Sequence, residues 1–462
     1  MTDLDGFDPK NIALGIPLLP FTNQVGGHAS IFRFSKKAIC KPASIKEREF
    51  YEYLESHRPA ILPFISQYLG VLNVTYHHSD KTHVLLPEVL FDQNEQLLRD
   101  WKAVITNKSV YPKEMEDEEE DDQQWSNIDH YSLKFNNFRR RVLCEIFNIQ
   151  ALKERMQAVK VWQYNQSNTQ RRNTPPTETL ANTLANTNAT EDSIMDIHTS
   201  FSPPPSPLQD DDARARWQPR QQPTNPWGQQ VYERDVQKMM QADQDHLTRQ
   251  FILLEDLTDD IKYPCVLDLK MGTRQHGVYA SKAKMLKQTE KCAKSTSREL
   301  GVRICGMQVY KVKERKFVFQ DKYHGRRLNP NSFQETLIAY LDNGTLQLHH
   351  IPVLIAKLKK LAQLIQSMHG YRFYASSLLI IYDGEPNHKK INLRMIDFAN
   401  SISPDEQRST FKYPPHDEGP DMGYLLGLQT LIHSFQVIYE DHIGLTANTI
   451  TTNTTTTFEK DT

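Results

Sequence analysis

The sequence predicts a two-lobed α+β protein whose smaller lobe is followed by a long, largely disordered insertion. Three observations carry that expectation. Gly26 and Gly27 stand ahead of short strand-like runs, Lys41 and a helix. Pro264–Gly272 is an apolar run with almost no alternation, the pattern of a strand buried on both faces. Between them, residues 113–224 change composition: 116–122 are all acidic, and 166–224 are rich in Asn, Thr, Gln, Pro and Ser. Such a stretch buries too little apolar surface to offset chain entropy.

Taken in order, residues 1–16 read as an N-terminal arm. Gln24-Val25-Gly26-Gly27-His28-Ala29 precedes an alternating Ile31–Phe34 run. Paired glycines there let a backbone approach a phosphate, or simply make a hairpin turn. A short strand ends Ile39-Cys40-Lys41-Pro42, and Ser44 with Glu47 has capping-box spacing, predicting a helix to about His57. A glycine turn, a strand lysine and a helix glutamate are the small-lobe pattern of a kinase, in which the glutamate orients the lysine on nucleotide phosphates. Leu69–Tyr76 and Thr82–Leu86 read as further strands, and the pattern decays after Phe91. Within the insertion, Phe135, Phe138, Val142, Leu143, Ile146, Phe147, Leu152 and Met156 recur at helical spacing, so 131–164 is expected to carry a helix docking on the lobes. Arg139-Arg140-Arg141 is too short for a strong nuclear-targeting signal.

Order returns at Asn225-Pro226-Trp227, with a helix over about Gln230–Asp243. A buried strand, Gln250–Leu254, then runs into Glu255-Asp256-Leu257. Next comes the Pro264–Gly272 strand. Asp268 and Lys270, two apart, point to one face. Buried in an apolar strand they must pair with each other or meet a ligand. Lys284, Lys287, Lys291 and Lys294 follow at spacings of three, four and three, on one face of a helix. That face is either solvated or neutralised by a polyanion. Residues 262–327 hold seventeen Lys/Arg against five Asp/Glu, with Lys322, Arg326 and Arg327 extending the basic surface. A hairpin is expected over Val302–Lys311 and Lys316–Gln320, an amphipathic helix over Pro352–Met368 closed by Gly370, and a turn into a second hairpin over Ser376–Gly384 and Ile391–Phe398. Adjacent strands carrying Ser377 and Asp397 bring together oxygens suited to a hard cation. A last helix starts after Asp421, and the threonine-rich 447–462 reads as a disordered tail.

Composition excludes several classes. Five scattered cysteines give neither a disulfide framework nor a zinc site. No apolar stretch approaches the roughly 20 residues that span a bilayer, and the N-terminus lacks a signal-peptide pattern. The expectation is a protein of the cytoplasm, the nucleus or both, with no direct nucleic-acid binding and with an insertion open to protein partners.

Pro264-x-x-x-Asp268-x-Lys270-x-Gly272 resembles the signature of the inositol polyphosphate kinases. Leu267–Gly277 (LDLKMGTRQHG), Ser295–Tyr310 (STSRELGVRICGMQVY) and Asp321–Leu328 (DKYHGRRL) are similar to its hexakisphosphate kinase branch. The resemblance covers about 17–90 and 225–440. It implies a two-lobed, protein-kinase-like or ATP-grasp-like fold, with lobes at 17–112 and 225–446. It implies ATP contacts from Lys41, from Glu255 and Leu257 through their backbones, from Asp256 toward the ribose, and from Asp268. Lys41, Asp268 and Lys270 become the catalytic set, with Glu47 as the partner of Lys41. Magnesium falls to Asp397, in an Asp397-Phe398-Ala399 that stands where protein kinases carry Asp-Phe-Gly, and to Ser377, with Ser376 adjacent. Pro264, Lys270, Gly272, Arg274, Lys284, Lys287, Lys291, Lys294 and Asn400 become substrate contacts, Asn400 replacing a histidine common in animal members.

The implied activity is transfer of the ATP γ-phosphate to a phosphate of inositol hexakisphosphate, at position 5 in the family. No His-Arg-Asp catalytic loop is present, and a phosphate nucleophile needs no general base. Two alternatives remain: a multikinase phosphorylating free hydroxyls of lower inositol phosphates, and a non-catalytic inositol-phosphate-binding scaffold.

Overall fold

The computed structural model describes residues 15–78, 85–106, 138–173, 224–241, 248–386, 388–406, 411–416 and 418–455. Two antiparallel sheets organise them. The first is built from β1 (Gly15–Pro17), β2 (Leu19–Pro20), β3 (Phe32–Arg33), β4 (Ala38–Pro42), β5 (Tyr68–His78), β6 (Leu85–Leu90) and β7 (Thr248–Glu255), in the order β1-β6-β5-β7-β4-β3-β2. Thus β7, from beyond the insertion, is paired between β4 and β5: Lys41 stands opposite Ile252 and Leu72 opposite Phe251. The insertion therefore lies between two strands of one sheet, β6 and β7.

Insertion helices cover that sheet. Residues 138–146 are helical, followed by α4 (Ile149–Asn173). Phe138, Val142, Leu143, Ile146 and Phe147 are buried in one cluster with Leu72, Val74 and Phe251. A helix α2 (Glu95–Thr106) precedes them where the sequence pattern had faded; its apolar residues fall on one stripe, which the charge of the flanking tract obscures. We number the 138–146 helix α3. Three boundaries move. β1 begins inside the expected arm, α4 continues through 166–173 where disorder was expected, and the last helix continues past 447. Polar composition does not forbid a helix that propagates from an already packed segment. Residues 174–223, read as disordered, lie outside the described residues, as do 1–14, 79–84 and 456–462.

The second sheet joins β8 (Pro264–Met271), β9 (Val302–Lys311), β10 (Lys316–Gln320), β11 (Ser377–Asp383) and β12 (Ile391–Ile396), in the order β10-β9-β8-β11-β12. β8 is flanked on both sides and buried at all but one position. Helices α6 (Lys282–Ala293), α7 (Ser297–Leu300), α8 (Lys322–Arg327), α9 (Pro330–Leu341), α10 (His350–Ser367) and α11 (Met422–Thr455) belong to this lobe. Leu354, Leu358, Leu361 and Ile365 of α10 are fully buried in its core. Helix α1 (Ile45–His57) follows β4 in the chain but packs into this second core through Phe50, Tyr51 and Leu54. The Phe398 ring lies 5.4 Å from that of Phe50 and 5.0 Å from that of Tyr51. Burying one such ring contributes about 2–3 kcal/mol, so α1 joins the lobes.

A register shift between β8 and β9 falls after Asp268, which stands opposite Gly306, while Leu269 stands opposite Ile304. The extra residue turns the β9 backbone toward the glycine loop. A Cβ on Gly306 would sit 1.9 Å from the Val25 carbonyl oxygen. Gly306→Ala is therefore expected to lift the loop from β9 and lower the melting temperature by several degrees, an effect of about 2–4 kcal/mol from overpacking against backbone. Differential scanning calorimetry checks this; an unchanged midpoint would show the loop free to yield.

Candidate active site

Between the two sheets, β4, α1, β8 and the turn after β12 bring four charged groups together, with Ser377 of β11 beside them. Lys41 Nζ lies 2.6 Å from Asp397 Oδ1 and 2.8 Å from Glu47 Oε1. Lys270 Nζ lies 3.8 Å from Asp397 Oδ2 and 3.4 Å from the Ser377 hydroxyl. Ser377 stands opposite Lys270 on one side and Ile396 on the other. Its neighbour Ser376 turns away, its hydroxyl donating to the Phe373 carbonyl.

Local backbone explains the convergence. Asp397 has φ +67°, a left-handed conformation that ends β12 and swings the carboxylate between the two lysines. The capping box expected at Ser44 is not formed: Ser44 is the N-cap of α1 but makes no side-chain cap bond. Glu47 instead accepts from Lys41 and from the Phe398 N–H, 3.1 Å away. A carboxylate that could close its own helix end thus spans both lobes.

The electrostatics follow. Burial opposes the Lys41 charge, but Asp397 and Glu47 outweigh it and hold the ammonium protonated well above the usual lysine range. Burial likewise opposes ionisation of Asp397, yet Lys41 and Lys270 hold its carboxyl far below the usual carboxylate range. Asp268 goes the other way. Burial pushes it up to about 6, with Lys270 opposing and Asp397 adding to the shift. Its Oδ1 is buried with no hydrogen-bond partner. A Cβ on Gly26 would stand 2.0 Å from its Oδ2, so the glycine loop lies directly on this carboxylate.

A cavity of roughly 200 Å³ opens along the segment that follows Asp397 and Phe398 in the chain, lined among others by Lys46, Tyr279, Lys284, Ala399, Asn400 and Glu406. Lys284, Lys287 and Lys294 are exposed on or just beyond α6, Lys291 is half-buried, and Lys294 pairs with Glu290 at 2.6 Å.

The sequence model of the family described as Inositol polyphosphate kinase matches residues 251–436. Over 450 residues the chain is 32% identical to Inositol hexakisphosphate kinase 3 of Mus musculus, covering 94% of this chain and 98% of that one. The chain belongs to the inositol polyphosphate kinase family. Within it, the hexakisphosphate kinase branch is the one it resembles, with 31% identity to Inositol hexakisphosphate kinase 3 of Homo sapiens over 94% of this chain and 98% of that one. Among solved structures, the inositol phosphate multikinase of S. cerevisiae in complex with ADP and Mn2+ has a TM-score of 0.36 and 22% identity, covering 41% of this chain and 84% of that chain.

In this inositol polyphosphate kinase several expected ligands are committed elsewhere. The fully buried Asp256 side chain accepts from Arg33 at 3.2 Å and from the Thr258 N–H and hydroxyl at 2.8 and 2.7 Å, bracing the segment after β7. Arg274 is likewise engaged. Its guanidinium donates to the carbonyls of His276, Pro414 and Tyr413 and lies 4.3 Å from the Tyr374 ring, clamping the 411–416 segment. Pro264 is buried at the opposite end of β8 from Lys270, paired with Asp383. Gly272, φ +87°, makes the exit turn, its N–H donating to the Gly301 carbonyl at 2.7 Å. Glu255 uses its N–H on the Gln67 carbonyl and its own carbonyl on the Ser66 hydroxyl. Leu257, one residue past Asp256, lies outside β7 and its ladder.

The fold also adds residues that the motifs did not single out. Lys46 of α1 reaches the cavity, 3.4 Å from Glu406. His28 stands in the field of Asp397 and Lys270; burial, with Lys270, Lys322 and Arg234 adding, lowers its pKa against the pull of Asp397. A charge run has a sequence signal; a lone histidine in a glycine turn has none until the loop is folded over β8.

Proposed function

We propose that this protein transfers the γ-phosphate of ATP to a phosphate of inositol hexakisphosphate, making a diphosphoinositol, at position 5. The observation that carries the reading is the pairing of one carboxylate, Asp397, with two lysines from different lobes, beside a basic helix and without a His-Arg-Asp loop. Phosphoryl transfer needs positioning and charge neutralisation more than covalent chemistry.

In this reading Lys41, oriented by Glu47, holds nucleotide phosphates, and Lys270 holds the transferred group. The adenine lies against the segment after β7, with Leu257 offering its backbone. Lys284, Lys287, Lys291 and Lys294, with Asn400, hold the acceptor's other phosphates. Magnesium fits the donor set. Asp397 and Ser377 supply hard oxygens, and one or two protein ligands suffice for an ion that keeps waters and phosphate oxygens. When bound, that cation would neutralise charge on the β- and γ-phosphates. The Lys41 and Lys270 ammonium groups supply positive charge around Asp397. The protein's place is the cytoplasm, the nucleus or both; all five cysteines are free thiols, and no helix among the described residues is long and apolar enough to cross a membrane.

One observation favours the multikinase reading: Asp268, pushed up to about 6 by burial, has the pKa of a general base for a hydroxyl nucleophile. Incubating the purified protein with ATP, Mg2+ and inositol hexakisphosphate separates the two, because that acceptor has no free hydroxyl. A diphosphate product by phosphorus NMR is expected. Turnover of lower inositol phosphates alone would establish the multikinase.

A further inference from the structure

Helix α5 (Pro226–Met240) and α8 form a second basic wall, facing the glycine loop. Lys322 Nζ lies 4.6 Å from the Trp227 ring and 5.4 Å from that of Tyr323, and the Arg326 guanidinium lies 5.4 Å from the same tyrosine ring. Trp227 and Tyr323 meet edge to face at 6.2 Å. The wall also grips the loop: Trp227 Nε1 donates to the Gly27 carbonyl at 3.2 Å and Arg234 Nη2 to the His28 carbonyl at 2.6 Å.

The nearby carboxylates are engaged elsewhere. Asp235 accepts from the Ser30 N–H and hydroxyl at 2.7 and 2.9 Å. Asp321 caps α8, accepting from the Tyr323 and His324 N–H groups. Among the described residues Arg234, Lys322 and Arg326 form no salt bridge. Burial, then Arg326 and Arg234, and more weakly Lys291 of α6, lower the Lys322 ammonium below its ordinary pKa. Cations crowded together with no carboxylate make a strong positive field that an anion relieves. The planar fork of arginine matches phosphate oxygens in pairs, and lysine serves as a point charge beside it.

We propose that Arg234, Lys322 and Arg326 form a phosphate-binding subsite for the phosphates of an inositol polyphosphate that point away from the transferred group, so that the substrate is clasped between α6 and α8. Because Arg234 and Trp227 hold the loop that lies on Asp268, filling the subsite also steadies that loop. The inference rests on reading the cleft as an inositol polyphosphate kinase site.

The test is steady-state kinetics of the full chain and of K322Q, R326Q and the K322Q/R326Q double variant, with ATP and inositol hexakisphosphate varied separately. Calorimetric titration of inositol hexakisphosphate accompanies it. Each single variant is expected to raise KM and Kd for the inositol phosphate roughly tenfold, the loss of one charge-assisted contact, and the double variant to raise them further. The KM for ATP and the melting temperature should stay unchanged. K322R should restore most of the affinity. Unchanged inositol phosphate affinity in the double variant would overturn the subsite, and so would a rise confined to the KM for ATP. If the wild-type protein turns over only lower inositol phosphates, the hexakisphosphate reading fails, and the same measurements with that acceptor decide the subsite.

Discussion

Asp397→Asn is expected to lower kcat by about a thousandfold or more, with a modest change in the KM for the inositol phosphate. Asparagine is the informative replacement, since it tolerates the left-handed φ of +67° at this position, where alanine would add strain. The fold should survive, because Lys41 keeps Glu47 at 2.8 Å and the Glu47 bond to the Phe398 N–H does not involve the altered side chain. What is lost is the anionic charge between Lys41 and Lys270 and the hard oxygen that a divalent cation requires. The pH dependence of stability separates the two effects. Asp397 has a folded pKa below its unfolded value. Its contribution is therefore present above about pH 4 and is lost as acid protonates it. The variant should be less stable than the wild type at pH 7, and the gap should narrow below pH 4. A kcat within tenfold of the wild type would remove Asp397 from the transfer step.

Asp268→Asn is expected to do the opposite to stability, and to lower turnover as the family resemblance, which puts Asp268 with Lys41 and Lys270, implies. The wild-type carboxylate is buried, its Oδ1 has no partner, and its pKa rises to about 6. A raised carboxylate pKa means the folded state binds the proton more tightly. Its contribution to stability is fully present below about pH 4 and is lost as pH rises through about 6. A carboxyl held at about 6 makes its ionised form cost on the order of 3 kcal/mol at neutral pH. Asparagine removes the charge at nearly constant shape, so the variant should gain about 1–3 kcal/mol at pH 7.5 and almost nothing at pH 4.5. Comparing thermal midpoints at the two pH values checks this. A variant less stable at both would mean that the carboxylate is compensated by its surroundings. Stability gained together with activity lost is the mark of a group kept for function.

Much of this cleft was legible before folding because its residues lie on short-range patterns. Asp268 and Lys270 share a face by strand period, and Lys41 and Glu47 fall on successive strand and helix. Contacts from distant parts of the chain were not legible. Arg274 looked like a phosphate ligand, but the Tyr413 and Pro414 carbonyls that occupy it come from about 140 residues away. Asp256 ends an apolar strand like a ribose ligand, yet Arg33 and Thr258 enclose it. The insertion helices were only half visible because their partner is a sheet face completed by β7, on the far side of the polar tract.

Glu47 carries a consequence for turnover. One oxygen of its carboxylate accepts from a lysine of the small lobe and from the main chain beside Asp397 in the large lobe. Any displacement of β4 from the turn after β12 would have to break one of those bonds, and with it the orientation of Lys41 on Asp397. Separation and disarming would then be one event, because a single carboxylate oxygen ties the position of Lys41 to the main chain beside Asp397.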